Sequence, residues 1–79
     1  MSEQYDRQYV LKVIEYVLRK YPKARRIAVE NFIMSSVGNR YDYQLANLEI
    51  DAELYRWNEA TRQAIRTGLH ILKQAGLMR

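Results

Sequence analysis

Seventy-nine residues without one cysteine must be held in shape by side-chain packing alone. No disulfide can cross-link so short a chain, and no thiolate is present to build a structural zinc site. A domain of this size buries only about 60–65% of the surface its unfolded chain exposes, near the lower end of independent stability. The fold therefore has to rest on apolar stripes, each turning one face of an element inward. The composition allows it: 48% hydrophobic and 28% charged is ordinary for a globular chain and far from the regime of disorder. We expect a single helical domain over 1–79.

Three stripes are readable. Val10, Val13, Ile14, Val17, Leu18 and Tyr21 recur on one helical face and predict a helix over 6–21, capped by Asp6 and ended by Pro22. Tyr9, Tyr16 and Tyr21 are expected to pack along it. Ala28, Val29, Phe32, Ile33 and Val37 predict a second helix over 24–37, with Gly38 as its left-handed terminator. Ala64, Ile65, Leu69 and Leu72 form the buried face of a third stripe over 58–75. Asn58 is its cap with Glu59 in the first turn, and Gly68 marks a close approach of another backbone. Gly76 fits the left-handed position after the helix, which lets Leu77 fold back on Leu72. The predicted core is Val13, Ile14, Val17, Phe32, Ile33, Ile65, Leu69 and Leu72.

The stretch 41–57 reads two ways. Leu48, Ile50, Ala52 and Leu54 alternate with Glu49, Asp51 and Glu53, the pattern of a strand near 48–54. Leu45, Leu48, Ala52 and Tyr55 instead line one face of a helix over 42–55, and the Ala, Leu and Glu content favours that reading. The fold class is mainly α: a compact three- to four-helix domain, with the short strand as the alternative.

Charge is segregated along the chain. Residues 1–40 carry eight Lys or Arg against four acids, 41–55 carry four acids and no base, and 56–79 carry five bases against one acid. A polyanion would meet the first and third segments and avoid the second. Arg19, Lys20, Lys23, Arg25 and Arg26 place five cations within eight residues around a helix end. They are candidates for phosphate contact, or simply cations favoured at a helix C-terminus by its dipole. On the last helix, Thr61, Arg62, Gln63, Arg66, Thr67, His70 and Lys73 fall opposite the apolar face, donors of the kinds that reach phosphates and base edges.

Catalytic machinery is absent from the sequence. It holds no GxxxxGK phosphate loop, HExxH, GxSxG or paired-cysteine motif, and His70 is the only histidine. Glu49, Asp51 and Glu53 share a face only as a strand, and Leu54 stands where a calcium loop would need glycine. No enzyme, cofactor or metal is expected. No apolar run exceeds four residues, which excludes a spanning helix, and the polar N-terminus does not read as a signal peptide, so the expected location is cytoplasmic. Tyr43, Glu49, Asp51, Glu53, Tyr55 and Trp57 together form a candidate protein interface, with Tyr41 also flanking the acidic segment.

The final stretch, Asn58-Glu59-Ala60-Thr61-Arg62-Gln63-Ala64-Ile65-Arg66 onward to Leu72, then Gly76-Leu77 and Arg79, resembles the recognition helix and exit of winged helix-turn-helix DNA-binding domains. The resemblance covers about 22 residues and the rest in outline. It implies that Thr61, Arg62 and Arg66 lie near the end of the helix that touches bases. The β-hairpin wing of that superfamily has no counterpart up to Arg79. Nineteen residues separate Gly38 from Asn58, where a helix-turn-helix uses three or four. A helix over 42–55, with Arg56 and Trp57 turning into Asn58, restores the order.

The leading expectation is a small DNA-binding regulator, dimeric, gripping phosphates through 19–26 and entering a groove with its last helix. RNA is a second possible ligand. The competing expectation is an accessory or inhibitor module docking a protein through 41–57.

Overall fold

Asp6 accepts a hydrogen bond from the backbone N–H of Tyr9 at 3.2 Å and opens helix α1, Arg7–Lys20, in a computed structural model that describes residues 6–38 and 42–79. Val10, Val13, Ile14 and Val17 are its buried face. Tyr9 and Tyr16 do not join that packing: they stand 36% and 44% exposed, on the side of the helix turned to solvent. The helix ends as its sequence predicts. Tyr21 donates its N–H to the Val17 carbonyl at 2.9 Å, and Pro22 begins a tight turn closed by Ala24 N–H to Tyr21 carbonyl at 2.9 Å.

Because that turn consumes Lys23 and Ala24, helix α2 starts later than the apolar spacing suggests, at Arg26–Gly38. Gly38 is its last helical residue rather than a left-handed terminator, and Gly76 is the one described glycine with positive φ. Val29, Ile33, Ser36 and Val37 are buried, while Phe32 is half-buried with its ring edge-to-face on Trp57, centroids 5.6 Å apart.

Helix α3, Tyr43–Ala52, replaces the strand alternative near 48–54 and is shorter than the 42–55 helix expected. Asp42 caps it, accepting from Leu45 N–H at 2.7 Å. The inward face is not the predicted one. Ala46 and Ile50 are buried with Tyr43 beside them, a set at positions i, i+3 and i+7, whereas Leu45, Leu48 and Tyr55 stand 45%, 64% and 81% exposed. A ten-residue helix offers two apolar stripes, and contact with the last helix selects the one carrying the small Ala46. The turn into that helix occupies 53–58, not Arg56 and Trp57 alone. Tyr41, expected beside this acidic segment, lies outside the described residues.

Helix α4, Glu59–Gln74, is the centre of the molecule: α1, α2 and α3 all pack on it, and α1 also packs on α2. Asn58 caps its start through Thr61 N–H at 2.8 Å. Thr61, Ala64, Ile65, Gly68, Leu69 and Leu72 are its buried side. Gly68 meets a side chain rather than a backbone: a Cβ there would lie 2.7 Å from Ile33 Cδ1, so that terminal methyl would have to shift. The exit is a Schellman turn, with Leu77 N–H on the Leu72 carbonyl at 2.9 Å, Gly76 N–H on the Lys73 carbonyl at 3.0 Å and Gly76 at φ 82°. Met78 is then buried, and the Arg79 carbonyl accepts from the N–H of Tyr43, tying the exit to the start of α3. The predicted core residues are buried as expected except Phe32, which is half-buried.

Candidate nucleic-acid interface

The two basic segments meet in space, but not through the side chains singled out for contact. Three bonds staple the α1–α2 turn to α4. Arg25 donates its backbone N–H to Thr61 Oγ1 at 2.8 Å, Asn58 Nδ2 donates to the Lys23 carbonyl at 3.1 Å, and the Tyr21 and Thr67 hydroxyls lie 3.1 Å apart. The backbone of the turn is thereby fixed. The side chains of Arg19, Lys20, Lys23 and Arg25 are left exposed, with no acid among the described residues within ion-pair distance of any of them.

Thr61 is withdrawn from the candidate surface. It is fully buried, and its hydroxyl supplies the acceptor that the N-terminal end of α2 lacks in its own sequence, where Arg25 stands in place of a capping side chain. Helical spacing hints at this, since residues 61, 64, 65 and 68 form one inward stripe; the polar side chain masks it.

Arg62 and Arg66 are turned inward as well. Arg62 Nη1 donates to the Leu54 carbonyl at 2.9 Å and the Trp57 carbonyl at 2.7 Å, and its other nitrogen meets Glu59; only 23% of the side chain is exposed. These are carbonyls of the turn between α3 and α4, so the guanidinium fork holds that turn from the following helix. Arg66 donates to Asn47 Oδ1 at 3.0 Å and pairs with Asp51, side-chain exposure 37%. Both arginines were expected to project freely from α4; the docking of α3 removes that freedom. Arg26 is bound too, donating to Glu15 at 3.0 Å and Glu30 at 2.8 Å. Its guanidinium holds the Glu15 carboxyl below the ordinary range, and the two acids push its own ionisation higher. Glu59 is likewise lowered, first by the hydrogen bond from Gln63 and then by Arg62.

Of the residues singled out on α4, Gln63, His70 and Lys73 are exposed. Gln63 donates to Glu59 at 2.9 Å, and the Lys73 ammonium sits 5.8 Å from the centre of the Tyr43 ring.

The candidate protein-interface residues do not form one patch. Glu49, Glu53 and Trp57 line a groove of about 390 Å³ between α2 and α3, walled on the other side by Arg25 and Ile27. Asp51 faces α4, Tyr43 packs beside His70, and Tyr55 is free. Glu49, Asp51 and Glu53, which would share one face of a strand, are dispersed around a helix end. Among the described residues no group of three potential ligands could hold a metal ion, and no described helix is long and apolar enough to cross a membrane. No family model, curated protein or solved structure matches this chain.

Proposed function

We propose that this protein binds the phosphate backbone of nucleic acid, duplex DNA foremost, through Arg19, Lys20, Lys23 and Arg25. The observation that carries this reading is the asymmetry among its cations. Arg26, Arg56, Arg62 and Arg66 are each committed to a carboxylate. The four around the α1–α2 turn have no carboxylate among the described residues within ion-pair distance; Arg7, Lys12, Lys73 and Arg79 have none either, but these four crowd into seven residues, 19–25, where the turn itself is pinned in place. A hydrogen-bonded backbone carrying exposed cations suits phosphates, which need charge at a fixed location but no base-specific geometry. The neighbouring outer face of α4, with Gln63, His70 and Lys73, would lie alongside the strand. With Arg62 and Arg66 engaged elsewhere, base reading is weak and sequence preference shallow. The helix-turn-helix resemblance and a cysteine-free chain suit a small cytoplasmic regulator; with Thr61 buried and six residues turning α3 into α4, the contact falls in this reading at the α1–α2 turn and not at the start of the last helix.

The test is fluorescence anisotropy with nuclease-treated protein and random-sequence DNA and RNA duplexes at 50 and 200 mM salt. Four phosphate contacts give a salt slope of roughly −3.6 and about a hundredfold loss of affinity over that range. Absence of binding at 50 mM, or binding indifferent to salt, sinks the reading.

A further inference from the structure

Helix α1 carries positive charge away from the turn and sets aromatic rings between the cations. Tyr9, Lys12, Tyr16 and Lys20 follow at steps of three, four and four along its exposed side, with Arg19 next to Lys20. None of Lys12, Arg19 and Lys20 has a carboxylate within ion-pair distance among the described residues. Glu15, the one acid in the helix, is paired with Arg26, and Asp6 caps the far end through the Tyr9 N–H. Tyr9 and Tyr16 are 36% and 44% exposed, and their rings meet no other ring and no cation among the described residues. Seven residues separate them, so the rings stand about 10 Å apart along the helix. Lys20 lies one helical turn beyond Tyr16, where the α1–α2 turn begins.

We infer that this face of α1 takes the unpaired bases of a strand whose paired part lies on the turn. Tyr9 and Tyr16 stack on bases, while Lys12, Arg19 and Lys20 follow the phosphates. The inference rests on the phosphate reading of the turn and extends it to a substrate class, a duplex with a single-stranded tail. Cations alone suit any polyanion; the rings set between them are what single out bases, because rings and cations together match the alternation of base and phosphate along a strand. A tyrosine ring offers its π-face to every base, so the contact is tolerant of sequence. In a closed duplex each base is already stacked on its neighbours, and a ring outside it gains nothing. An unpaired base has a free face to offer, and taking it costs no unpairing.

Fluorescence anisotropy at low salt tests this with one duplex made blunt, or given a tail of about ten nucleotides that is thymidine, uridine ribonucleotide or abasic. The abasic tail keeps the phosphates and removes the bases. The better of the two base-bearing tails identifies the strand, and it should bind at least about fivefold tighter than the abasic tail. Tyr9→Leu with Tyr16→Leu keeps apolar bulk and removes the rings. That pair should lose the gain while holding the parent's affinity for the blunt duplex, and Tyr9→Phe with Tyr16→Phe should keep the gain. Melting curves confirm that each pair is folded, and the comparison of tails on the parent decides the matter even where the leucine pair misfolds. Equal affinity of the parent for base-bearing and abasic tails overturns the inference and leaves the phosphate reading standing. So does a folded leucine pair that retains the gain in full. Failure to bind the blunt duplex or any tail removes the phosphate reading and this inference with it.

Discussion

Two buried hydroxyls show how much a partner matters. Thr61 Oγ1 accepts the Arg25 N–H at 2.8 Å, whereas Ser36 Oγ, equally buried, finds no partner among the described residues. Removing a satisfied buried group strands the other half of its bond, while removing an orphan relieves a desolvation cost. Thr61→Val, close in shape, should therefore destabilise by about 1–3 kcal/mol, and Ser36→Ala should be neutral or stabilising by about 1 kcal/mol, both read from urea midpoints. Equal losses at the two sites would contradict this assignment. Glu15 and Glu59 give a third check at this scale. Their carboxyls are lowered from 4.5, by Arg26 and by Gln63 with Arg62 respectively, so each contributes stability that is in place above pH 4.5 and lost as pH falls through its depressed folded value. Both groups are exposed, so the effect is small. Urea midpoints should drop below pH 4.5 more steeply in the parent than in a Glu15→Gln/Glu59→Gln double variant.

At the scale of elements, α1 and α4 were legible because each has one clear stripe against a polar remainder, Val10–Val17 and Ala64–Leu72. Helix α2 is apolar on more than one side, with Ile27 65% exposed and Met34 half-buried, and was legible from the spacing of Val29, Ile33 and Val37. Helix α3 was not, since both of its stripes are apolar and the choice is made by α4, a partner that periodicity within α3 cannot see. The same blindness misplaced Arg62 and Arg66. A helical wheel puts them on the polar side of α4, but the carbonyls of Leu54 and Trp57 and the carboxylate of Asp51 come from another element. Helix α3 packs chiefly on α4, so these polar ties should govern how often it detaches. Arg66→Ala, which frees Asn47 and Asp51, should cost about 1 kcal/mol or less globally. In the parent, α3 amides such as Ile50 should exchange faster than those of Val13 and Val17, because α3 opens without global unfolding, and Arg66→Ala should quicken α3 exchange up to about fivefold. Protection of Ile50 equal to that of Val13 and Val17 in the parent would mean that α3 does not open as a separate unit.

Over the whole molecule, the formal charge of +4 understates the segregation. Arg26, Arg56, Arg62 and Arg66 are neutralised locally by Glu15, Glu30, Glu53, Glu59 and Asp51, while Arg19, Lys20, Lys23 and Arg25 stand exposed, with no ion pair among the described residues, within seven residues around the α1–α2 turn. Arginines that hold the fold and cations that hold a ligand should therefore separate under mutation. Alanine at Arg19, Lys20, Lys23 and Arg25 together removes only exposed side chains; the bond that staples the turn comes from the Arg25 backbone and survives the change. That variant should melt within a few degrees of the parent, yet lose nucleic-acid binding evenly across sequences. Single replacements should each flatten the salt slope by about 0.9. Alanine at Arg62 and Arg66 should do the reverse. Loss of the bonds to the Leu54 and Trp57 carbonyls and of the tie to α3 lowers the melting temperature, by roughly 4–8 °C per kcal/mol for a domain of this size. Affinity measured below that melting point should change little. Melting curves and anisotropy titrations on the two variants resolve the matter: if the Arg62/Arg66 variant loses binding at full stability while the four-residue variant keeps it, the ligand meets α4 directly and the turn is only a solvated helix end.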